Sequence, residues 1–169
     1  MDGMVGLASG QIIYQDFKHR TGSIYVLVLL AIVAGVMAFN NYPAYPVLNY
    51  FSVNVSFLAI VGLVQSIMIF IKKKQLLNPL NKVIGLFDVL YLVILCACFS
   101  PRNFLFFIIF AAMLGTLHGF FYQIKLKIKK PSIPFAAYLA ISHLIFLVVK
   151  YSTGISLYND SLIKNLFSI

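Results

Sequence analysis

The chain contains no glutamate and no tryptophan, and among its 169 residues only four are acidic and two are cysteine. Charged residues amount to 10% of the sequence, against roughly 25% in an ordinary soluble domain. So sparse a charge complement argues against a water-solvated globule. Cys96 and Cys98 stand one residue apart in an apolar run, poorly placed to bridge each other, and read as apolar fillers. The sequence has no glycine-rich phosphate loop, no serine–histidine nucleophile pattern and no metal-ligand spacing. His118 and His143 fall in different apolar runs, and two histidines do not make a metal site. No cofactor is expected. Basic residues do not alternate with aromatics in a stripe, so nucleic acid is not an expected partner either.

What fills the chain instead is hydrocarbon. Hydrophobic residues make up 62% of it, with 16 Phe and 10 Tyr, and the mean hydropathy is +0.96. Residues 24–39, 53–71, 104–117 and 133–149 are apolar runs, and 83–99 is equally apolar apart from Asp88. Each approaches the roughly 20 residues that cross about 30 Å of hydrocarbon. A weaker run, 4–14, ends at Asp16 and would span if Gln11, Gln15 and Asp16 were sheltered by neighbours. Helix breakers punctuate the connections: Asn40, Asn41, Pro43 and Pro46, then Asn78 and Pro79, Ser100 and Pro101, and Pro131 and Pro134. The pattern predicts an all-α, polytopic membrane protein. Residues 1–150 would form one bundle of six transmembrane helices, and 151–169 a more polar tail. That tail carries Leu162, Ile163, Leu166 and Phe167 on one helical face, the pattern of a short interfacial helix.

The basic residues give this bundle an orientation. Six crossings place Lys18, Arg20, Lys72, Lys73, Lys74, Lys82, Lys125, Lys127, Lys129 and Lys130 on one side, ten of the thirteen Lys and Arg. The positive-inside rule makes that side cytoplasmic, with both termini outside. The net charge of +9 then faces anionic lipid. The first apolar stretch follows Asp2 rather than a basic segment, so no removable signal is expected. Asn54 and Asn159 open glycosylation-type triplets, a match common by chance. Gly115 and Gly119 form a small-xxx-small step suited to close helix packing.

Asp16 and Asp88 are the two acids beside these runs; Asp2 and Asp160 lie in the terminal segments. A carboxylate next to hydrocarbon is costly and marks a functional candidate. Both fall near the same membrane margin, Asp16 at the end of the first helix and Asp88 about a turn and a half into the fourth. Around them the chain reads Tyr14, Gln15, Asp16, Phe17, Lys18, His19, Arg20 and Gly85, Leu86, Phe87, Asp88, with Tyr91 one helical turn after Asp88. Residues 133–140, Ile-Pro-Phe-Ala-Ala-Tyr-Leu-Ala, open the last run.

In order and spacing these segments resemble the type IV prepilin peptidases, the G-x-G-D membrane aspartyl proteases, including their short preflagellin-peptidase branch. The resemblance covers residues from about Ile12 to Val149. It implies that Asp16 and Asp88 are a catalytic dyad, supported by Lys18, Arg20, Gly85, Tyr91 and Pro134. It also implies a membrane-anchored, prepilin-like precursor as substrate, cut near the cytoplasmic face. The chain departs from the family pattern at Phe87, where the second glycine would stand, and at Leu90, where a lysine is usual. Thr21, Gly22 and Ser23 replace an Ile-Pro, and the four-cysteine segment tied to methyl transfer is absent. Three readings stay open: an aspartyl endopeptidase, a catalytically inactive scaffold or binding protein of the same fold, and a small proton-coupled transporter.

Overall fold

The computed structural model describes residues 2–19, 23–73, 85–126, 134–154 and 156–158, and each apolar run is helical over most of its described length. Six helices lie among these residues: α1 (Asp2–His19), α2 (Ile24–Asn41), α3 (Ala44–Lys73), α4 (Leu86–Leu95), α5 (Pro101–Leu126) and α6 (Phe135–Thr153). Three are long and apolar enough to cross a membrane, at Ala44–Met68, Pro101–Phe121 and Phe135–Thr153. α2 is apolar but shorter. α4 has 10 residues, a length of about 15 Å. The interfacial helix expected in the tail, Arg20 and the second glycosylation-type triplet fall outside the described residues.

Helix ends depart from the sequence expectation for local reasons. Pro46 reads as a loop residue but sits in the first turn of α3, where its missing N–H has no intrahelical role to lose. The link between α2 and α3 thereby shrinks to Tyr42 and Pro43. The run 83–99 does not stay helical to its end. Leu95 closes α4, and Cys96 and Cys98 lie in the turn that follows rather than on the helix. Pro101 opens α5 and disfavours helical backbone at Ser100 before it. The turn's carbonyls are met from elsewhere. Asn54 of α3, buried, donates from Nδ2 to the carbonyls of Cys96 and Phe99, each at 3.0 Å. The Tyr158 hydroxyl donates to the Ala97 carbonyl. Asn54 is therefore an interior staple, not an accessible glycosylation residue.

α1 and α6 form the most extensive contact, with α2 against α1 and α5 against α6. Ala8 and Ser9 of α1 and Ala136, Ala137 and Ala140 of α6 are all buried. Small side chains let backbones approach where lipid supplies no hydrophobic drive for helix association. On the other side of α6 the core is aromatic. Phe146 meets Phe99 and Phe107 edge-on at 5.8 and 5.7 Å, and those two rings stack at 5.0 Å. The outer surface is apolar: only 11% of the apolar window of α3 is buried, and Ile60, Leu63, Leu105, Ile109, Met113 and Leu117 stand exposed. Such faces suit hydrocarbon and would aggregate in water. Among the described residues the fold is thus all-helical, with three helices long and apolar enough to cross a membrane.

Candidate functional site

The site grows from an uncapped helix. Pro134 is the N-cap residue of α6, with φ −75° and ψ 84°. Proline has no side-chain acceptor, so the first amides of α6 need partners from elsewhere, and an orphan amide at membrane depth is expensive. Two carboxylates from different helices approach them. Asp16, three residues before the end of α1, accepts a hydrogen bond from the Ala137 amide at 2.8 Å. Asp88 lies near the adjacent Ala136 amide, and close enough to Asp16 for the two charges to repel. Consecutive amides in the first turn of one helix therefore gather the two acids that the sequence singles out. The positive end of the helix dipole favours both.

Asp88 is also tied to its own helix. It occupies the third position of α4, in the first turn rather than a turn and a half along, because Gly85 is the N-cap. The Gly85 amide donates to Asp88 Oδ2 at 3.1 Å. This is one half of a capping box; glycine has no side chain to return the other half. A β-carbon at position 85 would lie 3.1 Å from Asp88 Oδ2. Glycine thus leaves the carboxylate room to lean back over the helix start. Phe87, between them, is half-buried and packs against the core, so its ring is engaged inward.

The remaining sequence candidates fall variously. Lys18 is exposed and donates to the Tyr14 hydroxyl one turn back, its ammonium 5.0 Å from that ring's centroid. Tyr91 is fully buried in the core; its hydroxyl lies near that of Ser9 on α1, although neither closes a hydrogen bond of full geometry. Asp16 and Asp88 are each half-buried and Gly85 is exposed, so the acid pair lies at an accessible margin.

Several contributors were not among the site residues expected from the sequence. The amides of Ala136 and Ala137 are invisible to residue type; the signal was Pro134, a proline opening an apolar run. Phe17, Tyr138 and His118 form an aromatic wall beside Asp16, with Phe17 edge-on to Tyr138 at 5.8 Å and His118 to Tyr138 at 5.3 Å. Gln15 accepts from the Ser23 amide at 2.9 Å and so anchors the start of α2 to the segment that carries Asp16. Among the described residues, no three His, Cys, Asp or Glu side chains gather as metal ligands. Comparisons with protein-family models, with curated proteins and with solved structures returned no match.

Proposed function

We propose that the protein is a membrane-embedded aspartyl endopeptidase similar to the type IV prepilin peptidases, with Asp16 and Asp88 as its dyad. The observation that carries this reading is that Asp16 accepts the Ala137 amide while Asp88, near the adjacent Ala136 amide, lies close enough for the two acids to repel. Like charges this near disfavour ionising both groups, so one proton serves the pair. The ionised carboxylate takes a proton from water as that water attacks the peptide carbonyl carbon. The protonated one donates to the carbonyl oxygen. Collapse of the tetrahedral adduct breaks the C–N bond, and the leaving amine takes the remaining proton. No covalent enzyme intermediate forms.

The substrate in this reading is a membrane-anchored, prepilin-like precursor with a short leader. In this reading the bundle crosses the bilayer with its acid end toward the cytoplasm, the side to which the positive-inside rule assigns ten of the thirteen basic residues. The engagement of Phe87 with the core accommodates its departure from the family pattern. A second reading has its own support: a carboxylate on a helix-terminal amide is also a structural cap, and an inactive scaffold would keep it. Purified protein in lipid nanodiscs, incubated with prepilin-like precursors from its host membrane, separates the two. Cleavage that disappears in both Asp16→Asn and Asp88→Asn supports the peptidase. Cleavage undiminished in either variant, or none in the parent protein, overturns it.

A further inference from the structure

α2 begins without a cap of its own. Its N-cap residue, Ser23, makes no side-chain capping bond. Its third residue is Val26, which has no acceptor to reach back to the Ser23 amide as a glutamate or glutamine there would. The acceptor comes from α1 instead: the Ser23 amide donates to Gln15 Oε1 at 2.9 Å. The next residue of α1, Asp16, does the same for α6, whose Ala137 amide donates to it at 2.8 Å. Consecutive side chains on a helix point about 100° apart. The last turn of α1 is therefore held from two directions, by the start of α2 and by the start of α6.

The two ties differ in one respect: Asp16 titrates and Gln15 does not. A carboxylate that serves as base or acid changes its protonation during each turnover. A hydrogen bond to an ionised acceptor is about twice as strong as one to a neutral acceptor, so the tie between Asp16 and Ala137 weakens whenever Asp16 is protonated. The tie between Gln15 and Ser23 keeps its strength throughout. Lys18, on the same turn, is exposed and donates within α1, to Tyr14, so it fixes nothing across helices by that bond. We infer that Gln15 is a positioning residue, which holds the last turn of α1, and with it the Asp16 carboxyl, in one setting relative to Asp88 in both protonation states. The consequence for turnover rests on the peptidase reading; the consequence for how the two acids titrate does not.

The test removes the tie from each end in full-length protein in lipid nanodiscs. Gln15→Met keeps the length of the side chain and deletes the amide oxygen. Ser23→Pro deletes the amide hydrogen, and a proline ring fits the φ of −80° found there. Asn54→Leu, which acts on the turn at the other end of α4, serves as a variant that loses stability away from the acids. Melting curves in detergent show which variants fold. Aspartate labelled with carbon-13 in its side-chain carboxyl gives four resonances, one for each acid of the chain, and Asp16→Asn and Asp88→Asn assign the pair by NMR. In the parent protein the pair titrates in two separated steps. The steps draw together in Gln15→Met and in Ser23→Pro and stay at their parent positions in Asn54→Leu. The double variant goes no further than either single one, since both remove the same bond. In precursor cleavage, kcat falls about 10-fold in Gln15→Met with KM unchanged. Titration steps at their parent positions in a folded Gln15→Met or Ser23→Pro overturn the inference, and so do steps that move as far in Asn54→Leu. A parent protein that cleaves no precursor overturns the peptidase reading instead, and the titration, which needs no substrate, still decides the role of Gln15.

Discussion

Replacing Asp16 with asparagine separates chemistry from architecture. Asparagine keeps an acceptor oxygen where the Ala137 amide donates at 2.8 Å, so the start of α6 retains its partner. What is lost is charge. A hydrogen bond to an ionised group contributes about 1.5–3 kcal/mol and one to a neutral group about 0.5–1.5, a difference near 1 kcal/mol. The helix dipole adds about 0.3–1 kcal/mol. Relief of repulsion with Asp88 acts in the opposite direction. The net cost is therefore about 1 kcal/mol or less, a melting shift of about 2–4 °C for a chain of this size. Catalysis behaves differently, because the pair can no longer present one base and one acid, and cleavage falls by about 10²–10⁴-fold. Asp16→Leu loses the same activity and, in addition, orphans the Ala137 amide at a cost of about 1–3 kcal/mol. Melting curves in detergent and precursor cleavage in nanodiscs, run on the same preparations, read both quantities. An asparagine variant that cleaves near the parent rate refutes the mechanism. One that melts as low as the leucine variant refutes the capping argument.

Gly85→Ala places a methyl 3.1 Å from Asp88 Oδ2; the carboxylate must shift, and kcat for precursor cleavage falls by about 10-fold or more with little change in melting temperature. Tyr91→Phe leaves cleavage intact, because the Tyr91 hydroxyl lies near Ser9 and closes no bond of full geometry; lost activity in this variant would assign the hydroxyl to the site. Asn54→Leu removes two buried hydrogen bonds to the turn after α4 and lowers stability by about 2–4 kcal/mol, measured by denaturation in mixed micelles. Maleimide labels the half-buried Cys98 faster than the buried Cys96 in the folded protein, and the two at similar rates once it is denatured.

Much of this architecture was legible in the residue order. Apolar runs of near-bilayer length, separated by Asn and Pro, predict where helices lie, because a chain in hydrocarbon must satisfy its backbone within the segment. Helix ends were less legible, since they depend on partners distant in the chain. Pro46 looks like a loop residue until its place in a first turn is known. The break after Leu95 depends on Asn54, 42 residues away from Cys96, and on Tyr158, 61 residues from Ala97. Tyr91 shares a helical face with Asp88 by spacing, yet packing turns that face toward α1 and Ser9.

The candidate site divides along the same line. By itself, the sequence singled out two candidate acids, because Asp16 and Asp88 stand beside long apolar runs, where a carboxylate is costly. It also determined that α6 would begin at a proline with no side chain to cap it. That the two acids would meet, and on which atoms, was decided only by tertiary structure. The amides of Ala136 and Ala137 carry no residue signature; they become a site only when close packing of α1 and α4 on α6 brings two carboxylates to the same uncapped helix end.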